Sequence, residues 1–445
     1  METVMGGNKN AIRILLINPP SPDKFIYIRD TNRSGRRSVE RTVWPQVSLA
    51  MIAGVLENCE VKILDCIAEG LDYKTTYEKM KEFSPNWVIT NPISSIFPHD
   101  MIVTHYAKSL GAKTVIISPH SKALKESIYG QFPSVDHIIS PEPGAPEIEY
   151  VLRELITGEK TDGTSLSTLP PARQDLLPRE RYSLPFIGKS FTFVIVARGC
   201  PYKCIYCRQN VVYEGEVRYR SVDSVIEEIR KYRLTNIALH ADTATLNKKW
   251  MREFCEKVPK GTRWICNSRV DTVDPLLLRD MKRAGCWMIC YGIESGDDEV
   301  LSKNKKGATC EQAKQAVWWT KSAGIKVWGY FMLGLYGDTR ESMQRTIRFA
   351  KSLPVDIANF AVSAPYPGTE WEFIGSNNGW IKNGEIYDQN FSAIVSQPNC
   401  SIDMVRKMQR KAYLSLYISW RGLKIFLMNP GFFIRAFTDH IRSIF

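Results

Sequence analysis

The chain has 445 residues, 44% hydrophobic and 24% charged, a composition typical of a globular protein long enough for two or three domains. No stretch is apolar for long enough to span a bilayer, and the N-terminus lacks the apolar core of a signal peptide, so we expect a cytoplasmic protein. The net charge is +12, but its lysines and arginines are spread along the chain, so we expect no nucleic-acid partner.

The first part of the chain alternates short apolar runs with helical patterns. Five such runs predict buried strands, and they read IRILLINPP, VKILDC, WVITNP, TVIISP and HIIS. Strands that alternate with helices predict an α/β fold with a doubly wound, Rossmann-like parallel sheet, which we assign to residues 1–156. Such sheets bind ligands beyond the carboxyl ends of their strands, and here those ends carry NPPSPD, TNPISS and SPHS.

A second strand and helix series follows a segment rich in Gly, Pro, Ser and Thr. We assign this segment, residues 157–188, to a linker. The second series has six predicted strands: FTFVIVA, NIALHA, RWICNS, WMICYGIES, IKVWGYFMLG and IANFAVS. Six β/α repeats are fewer than the eight of a closed barrel, so residues 189–375 are predicted to form a partial (β/α)6 barrel. Residues 376–445 are predicted to form a helical C-terminal extension.

Three closely spaced cysteines follow the first strand of the second series. In ARGCPYKCIYCRQN, Cys200, Cys204 and Cys207 are separated by three and then two residues. A disulfide between any two of them leaves the third unpaired, and no fourth ligand follows at the spacing of a tetrahedral zinc site. The eleven cysteines of the chain, an odd number, also argue against a disulfide framework. The motif therefore raises the hypothesis of an iron–sulfur cluster in which one iron has no cysteine ligand.

This motif, on a loop after the first strand of six β/α repeats, resembles that of the radical S-adenosylmethionine (SAM) enzymes. The resemblance implies that Cys200, Cys204 and Cys207 bind three irons of a [4Fe–4S] cluster and that SAM chelates the fourth. It also implies a reducing partner such as flavodoxin or ferredoxin. Further SAM contacts are implied at positions near the carboxyl ends of the strands, and these are Tyr206, Asp242, Arg269, Glu294, Ser295 and Gly334.

Some of these further positions also have a plain structural interpretation. Tyr206, which the family places against the adenine, could simply pack in the core. Arg269 is a candidate for the ribose or carboxylate of SAM. Asp242 could be a solvated loop residue, and Gly334 a turn former. The YGIES segment, which ends in Glu294 and Ser295, has the clearest likeness to a SAM-contacting segment of the family.

The N-terminal series resembles the cobalamin-binding domain of a radical SAM subclass. That subclass includes the anaerobic protoporphyrin ester cyclase and methylases of hopanoids and bacteriochlorophylls, and it implies cobalamin contacts near Ser94, Ser118 and His120. The DxHxxG motif of histidine-ligated cobalamin domains is absent after the first strand. Asp65–Gly70, DCIAEG, has that spacing after the second strand, with Ile67 in place of histidine. The domain either binds cobalamin without this histidine or has lost the cofactor.

The resemblance implies a C-methyltransferase that uses two SAM molecules, one as the methyl source for cobalamin and one for hydrogen abstraction from an unactivated carbon. A small-molecule, lipid or peptide substrate is expected, because relatives act on tetrapyrroles, lipids and peptides. A radical SAM oxidoreductase, such as a cyclase or hydroxylase, is the alternative within enzymes. A non-catalytic cluster or corrinoid carrier is the alternative of another class, although a carrier would not need the YGIES segment.

The C-terminal extension is helical in pattern, basic and aromatic. Its segment YISWRGLKIFLMNPGFFIRAF is compatible with peripheral membrane contact, with Arg421, Lys424 and Arg435 toward the headgroups. It is equally able to cap the barrel and close the substrate cavity, and we favour this capping role.

Overall fold

The N-terminal part of the chain forms the predicted doubly wound sheet. Its five strands are all parallel, in the order β2-β1-β3-β4-β5. They are β1 (Arg13–Asn18), β2 (Glu60–Asp65), β3 (Trp87–Thr90), β4 (Lys113–Ile117) and β5 (His137–Ile139). The computed structural model describes residues 11–23, 25–30, 33–38, 42–117, 121–142, 144–160, 165–184, 188–382 and 393–417.

The second sheet is the predicted partial barrel. Its six parallel strands follow chain order, and β6 and β11 are edges that do not pair with each other. They are β6 (Thr192–Ile195), β7 (Asn236–His240), β8 (Arg263–Ser268), β9 (Cys286–Glu294), β10 (Lys326–Leu333) and β11 (Ile357–Val362). The fold class predicted from the sequence is therefore confirmed, including the open barrel.

Helices connect these strands as the apolar periodicity predicts. Those of the N-terminal part are Val47–Gly54, Cys66–Glu69, Tyr73–Phe83, Phe97–Asp100, Ile102–Ser109, Ser121–Gln131 and Ile148–Thr157. Those that follow are Arg208–Tyr213, Val222–Lys231, Lys248–Lys257, Pro275–Arg283, Asp298–Lys303, Cys310–Ser322, Arg340–Ser352, Glu370–Asn377 and Ile402–Tyr417. Short antiparallel pairs join Tyr27–Asp30 with Arg33–Arg37, Ala197–Arg198 with Arg218–Tyr219, and Ser183–Leu184 with Gly188–Lys189.

Side chains cover both edges of the partial barrel. At β6, the buried Gln174 from the predicted linker donates its amide to the Phe193 carbonyl at 3.1 Å. At β11, the helix Ile402–Tyr417 brings Gln409 and Tyr413 to the backbone of Phe360: the Gln409 amide donates to its carbonyl at 2.9 Å, and the Tyr413 hydroxyl accepts from its N–H at 3.1 Å. Edge strands with unpaired backbone groups promote aggregation, so this cover protects the open barrel.

The two sheets share a hydrophobic core. The helix Val47–Gly54 is buried along its whole length, and the Trp44 ring just before it lies 4.9 Å from the ring of Phe193 on β6. The same core continues to Ile265 and Met288 on the next barrel strands. The helix Val47–Gly54 is apolar almost all round because it lies inside the protein rather than on its surface.

A buried ion pair joins the N-terminal part to the barrel. Arg198, in the short strand before the cysteine loop, makes two hydrogen bonds to the Glu149 carboxylate, at 2.6 and 3.0 Å, and also bonds to Glu147. All three side chains are at most 3% exposed, and Arg218 adds a contact to Glu147 at 3.0 Å. Two carboxylates opposite two guanidinium groups balance the buried charge.

The helix Ile402–Tyr417 confirms a helix in the C-terminal extension, and it lies against the barrel edge. Ahead of this helix, the described residues 393–401 are not helical and form the isolated bridges Ile381 with Val395 and Gln397 with Cys400. The membrane-contact segment, including Arg421, Lys424 and Arg435, lies outside the described residues. In the described part of the chain, no helix has the length and hydropathy of a membrane span.

We predict that Glu149→Gln lowers the free energy of unfolding by about 3 kcal/mol, because it leaves the buried Arg198 short of one counter-charge. Denaturant unfolding followed by circular dichroism measures this change. Glu154→Gln, an exposed position on the same helix, is the matched control and should change stability by less than about 0.5 kcal/mol. Equal effects of the two variants would contradict the structural role of the pair.

Candidate active site

The cysteine loop begins at a glycine that no other residue can replace without strain. Gly199 has φ +89°, and a Cβ there would lie 2.0 Å from the Glu216 carbonyl oxygen. Its N–H donates to the Asp242 carboxylate at 3.1 Å. Gly199 therefore fixes the direction in which the chain enters Cys200, and Asp242 after β7 holds that turn in place.

Backbone hydrogen bonds fix the rest of the loop. The Cys207 N–H donates to the Cys204 carbonyl at 3.0 Å. The Ile205 N–H donates to the Asn304 carbonyl at 3.3 Å, and the Ile205 carbonyl accepts from the Trp371 N–H at 3.0 Å. The buried side chains behind the loop form one apolar cluster, which contains Cys204, Ile205, Tyr206, Val300, Met332, Leu335, Trp371, Ile394 and Val395. This cluster keeps water from one side of the cysteines.

Arg269, just after β8, lies beside one of these cysteines. Its Nη1 is 4.0 Å from the Cys204 sulfur, and its guanidinium carbon is 3.4 Å from the centroid of the Tyr202 ring. The Asp271 carboxylate accepts from its Nε and Nη2, both at 2.9 Å, and the Lys306 carbonyl accepts from Nη2 at 2.7 Å. Four neighbouring groups therefore hold a guanidinium that is 5% exposed.

A second buried cation and a strained glutamate complete this part of the site. The Lys306 ammonium donates to the Glu294 carboxylate at 3.0 Å, and both side chains are largely buried. Glu294 has φ +68°, a strained conformation for this residue, at a point where the pairing of β9 and β10 shifts register.

The Tyr206 hydroxyl is buried without a hydrogen-bond partner among the described residues. Burial, and then the charge of Glu294, raise the pKa of Tyr206 well above its usual value.

The structure brings several of the predicted site residues together near the cysteine loop. Arg269, Glu294 and Tyr206 lie around Cys204, and Asp242 holds the start of its loop. The Ser295 hydroxyl instead hydrogen-bonds Thr346 of the helix Arg340–Ser352 at 3.0 Å.

Gly334 contacts the C-terminal helix. Its φ is +78°, its N–H donates to the Asp338 carboxylate at 3.0 Å, and a Cβ there would meet Val405 of the C-terminal helix at 3.1 Å. This geometry is that of a turn former on the side of the barrel that faces the helix.

The three cysteines suit a cluster rather than a single metal ion. Among the described residues, no group of three or more His, Cys, Asp or Glu side chains is placed to bind one ion. A cluster does not need such convergence, because each thiolate binds a different iron. Burial is the main cause that raises the pKa of Cys200, and it raises the pKa of Cys207 to about 12. These thiols therefore ionise readily only when they bind a cationic centre.

The carboxyl ends of the N-terminal strands carry a buried polar network. Arg29 donates to Asp100 through Nε at 3.1 Å and Nη2 at 2.6 Å, and to the Asn18 side chain at 3.2 Å. Asp65 accepts from Asn18 at 2.6 Å and from the Tyr182 hydroxyl at 2.7 Å. Burial is the main cause that raises the pKa of both carboxyl groups, Asp65 and Asp100.

The segment DCIAEG is explained by a short helix. Asp65 accepts from the Ala68 N–H at 3.1 Å as the N-cap of the helix Cys66–Glu69, and Gly70, with φ +67°, is its C-cap. The aspartate and glycine at the DxHxxG spacing therefore have structural roles. Ile67 offers no nitrogen at the histidine position.

Three buried hydroxyl groups near this edge have no hydrogen-bond partner among the described residues. They belong to Ser21 after β1, Thr90 at the end of β3, and Ser95 in the turn Ser94–Ile96. Buried hydroxyls without partners are uncommon, and they suit a ligand that offers polar groups at this edge. Ser118 and His120 lie outside the described residues, and Ser94 begins the turn just named.

No pattern in the sequence indicated a role at the site for Lys306, Asn304 or Arg198. Lys306 stands in KNKKG, a charge run that normally indicates a solvated surface, yet it is buried. The Asn304 carbonyl accepts a hydrogen bond from the cysteine loop, and the Asn304 side-chain amide donates to the Tyr336 carbonyl at 2.9 Å. Asn304 therefore joins the cysteine loop to Tyr336. For Asp271, the only indication in the sequence that it pairs with Arg269 was that it lies two residues after it.

Comparison with known proteins identifies the class of this site. Residues 194–350 match the family model of the Radical SAM superfamily. This segment holds the three cysteines and most of the partial barrel. It is therefore a radical SAM domain, and the chain is a radical SAM enzyme whose cofactors include a [4Fe–4S] cluster and SAM.

Particular relatives resemble the chain over both sheets. The chain is 28% identical over 457 residues to the uncharacterized methyltransferase PH0819 of Pyrococcus horikoshii, covering 95% of this chain and 96% of that protein. It is 24% identical over 453 residues to the anaerobic magnesium-protoporphyrin IX monomethyl ester cyclase of Rubrivivax gelatinosus, covering 93% and 79%. The radical SAM methyltransferase TsrM of Kitasatospora setae, solved with cobalamin and a [4Fe–4S] cluster, has the same fold, with a TM-score of 0.62 at 16% identity, covering 83% and 75%.

We predict a pH-dependent contribution from Asp338, which holds the Gly334 turn. Burial is the main cause that raises its pKa from 3.8 to about 6. The folded protein therefore binds this proton more tightly than the unfolded chain does. The resulting stabilisation of the fold is complete below pH 3.8 and is lost as the pH rises through about 6. Measured by denaturant unfolding, the stability of the wild type relative to Asp338→Asn should fall over this range, by at most about 1.4 kcal/mol per pH unit. If the difference in free energy of unfolding between the wild type and Asp338→Asn did not change with pH, the proposed burial of a protonated Asp338 carboxyl would be wrong.

Proposed function

We propose that the protein is a cobalamin-dependent radical SAM C-methyltransferase that acts on an unactivated carbon of a large or apolar substrate. The observation that carries the proposal is the combination, in one chain, of the radical SAM cysteine loop and a doubly wound sheet joined to it by the buried Arg198 pair. The match to the methyltransferase PH0819 over nearly the whole length supports it. So does the common fold with TsrM, which was solved with both cofactors.

A few residues of the radical SAM site would bind the cluster, orient the cysteine loop and exclude water. Cys200, Cys204 and Cys207 would hold the cluster, which when bound would supply the electron for cleavage of SAM to methionine and a 5′-deoxyadenosyl radical. The tight turn at Gly199 orients the first thiolate. The apolar cluster behind the loop excludes water, which protects a radical reaction from side reactions.

The N-terminal sheet would provide the cobalamin site. The unpartnered hydroxyls of Ser21, Thr90 and Ser95 are suited to the amide groups around a corrin ring. Ile67 supplies no axial nitrogen, so cobalamin would bind without a histidine from this motif. When bound, cobalamin supplies a carrier for the methyl group between SAM and the substrate carbon.

We infer that the substrate binds at the face of the barrel sheet that carries Gly292, Trp328 and Tyr330. Gly292 and Tyr330 are register partners on β9 and β10 and are only partly buried, as is Trp328 on the same strand as Tyr330. The rings of Trp328 and Tyr330 lie 5.7 Å apart. Because partly exposed aromatic rings beside a glycine form an apolar surface, we infer a tetrapyrrole, lipid or peptide substrate with a large apolar part.

A radical SAM oxidoreductase is the second candidate, and the likeness to the protoporphyrin ester cyclase supports it. In that case the N-terminal sheet would act with the cluster without methyl transfer. A non-catalytic carrier is disfavoured by the radical SAM domain. Cytoplasmic location, and a flavodoxin or ferredoxin as electron donor, remain predictions in either case.

We predict two SAM-derived products from the anaerobically reconstituted protein incubated with SAM and a strong reductant. Mass spectrometry should detect 5′-deoxyadenosine with or without cobalamin, and S-adenosylhomocysteine only with cobalamin, because methyl transfer needs the carrier. If 5′-deoxyadenosine forms and cobalamin changes nothing, the methyltransferase proposal is wrong and the oxidoreductase takes its place.

A pair of cysteine variants provides the control for this experiment. Cys204→Ala removes a proposed cluster ligand and should abolish formation of 5′-deoxyadenosine. Cys290→Ala changes another buried cysteine, within β9, and should retain it. If both variants kept the product, the assignment of the cluster ligands would be wrong.

A further inference from the structure

The contacts of Arg269 differ from those expected of a SAM ligand. Three of its five N–H groups are already used, two by the Asp271 carboxylate and one by the Lys306 carbonyl. Its Nη1 edge faces the Cys204 sulfur across 4.0 Å. The side chain is buried and its flat face is covered by the Tyr202 ring, so a carboxylate of SAM has little access to it.

The pair formed by Arg269 and Asp271 has a fixed orientation toward Cys204. Asp271 binds the guanidinium along its Nε and Nη2 edge, and the opposite, Nη1, edge faces the sulfur. Stacking on Tyr202 prevents the plane from rotating. The positive end of the pair is therefore closest to Cys204.

Charge near the sulfur ligands is one of the factors that set the reduction potential of an iron–sulfur cluster. Reduction adds one electron, taken from a low-potential donor, and makes the cluster and its thiolates more negative by one charge. A nearby cation stabilises this reduced state more than the oxidised state, and it therefore raises the potential. Burial strengthens the effect, because little water screens the charge.

We propose that Arg269 is a positioning residue that raises the reduction potential of the cluster through Cys204, rather than a ligand of SAM. The proposal rests on the radical SAM domain and not on methyl transfer. It can therefore fail, or succeed, independently of the proposed cobalamin-dependent reaction.

The test is a redox titration of the full-length, anaerobically reconstituted protein, followed by electron paramagnetic resonance of the reduced cluster. In Arg269→Gln, the ratio of reduced to oxidised cluster at a fixed solution potential should fall at least tenfold, which for a one-electron couple equals a shift of about 59 mV. Arg269→Lys retains the charge and should restore most of the potential. Iron and sulfide analysis establishes that each variant carries a full cluster.

Two further variants provide controls. Arg263→Gln makes the same change at the other end of β8, where the guanidinium lies 5.3 Å from the centroid of the Trp287 ring, and it should leave the potential unchanged. Asp271→Asn removes the counter-charge of Arg269 and should shift the potential in the opposite direction, upward. Asp271→Asn also keeps the proposal testable if Arg269→Gln does not assemble a cluster.

The affinity for SAM, measured by equilibrium dialysis, distinguishes the two roles of Arg269. We expect Arg269→Gln to change the dissociation constant by less than about twofold while the potential falls. An unchanged potential with SAM binding weakened tenfold or more would overturn the proposal in favour of a SAM ligand. If neither the potential nor SAM binding changed, Arg269 would be purely structural and the proposal would also be wrong.

Discussion

The buried ion pair of Arg198 with Glu147 and Glu149 is the constraint on which the cysteine loop depends. Arg198 immediately precedes Gly199 and Cys200, so the N-terminal part of the chain holds the loop at its first residue. Breaking such a pair leaves an uncompensated buried charge, which costs several kcal/mol, so the two parts are fixed relative to each other at this point. A radical SAM domain and a sheet proposed to bind a second cofactor need such fixed placement, because transfer between two cofactors requires a defined distance and orientation.

The open barrel follows from the same arrangement. Six strands leave two edges, and the fold covers them from outside the barrel, with Gln174 at β6 and with Gln409 and Tyr413 at β11. Because the barrel is not closed by further strands, the core of the N-terminal part extends past Phe193 on the edge strand to Ile265 and Met288 on inner strands. Around Cys204, two buried cations, Arg269 and Lys306, each have a carboxylate partner. Charges that are balanced and fixed before any cofactor binds do not need to reorganise during the reaction.

The sequence predicted the strands of both sheets and the place of the three cysteines, because apolar runs and local spacing are properties of neighbouring residues. It could not predict contacts between side chains far apart in the chain. Arg198 and Glu149 are 49 positions apart, and a pattern of charges indicates no partner at that separation. Lys306 stands in a charge run, which did not indicate that it is buried. The strained backbone of Glu294 cannot be predicted from composition. The residues implied by resemblance have contacts that the sequence did not indicate: most donors of Arg269 are used by protein groups, the Ser295 hydroxyl bonds Thr346, and the Gly334 N–H bonds Asp338.

Metal analysis tests the claim that one chain carries both a cluster and cobalamin. The protein would be reconstituted anaerobically with iron and sulfide, saturated with hydroxocobalamin and desalted, and its iron and cobalt counted per chain. We expect about four irons and one cobalt, and we expect that replacing Cys200, Cys204 and Cys207 together by serine removes the iron but keeps the cobalt. Iron without cobalt in the wild type would contradict the claim and leave the chain a radical SAM enzyme without a corrinoid.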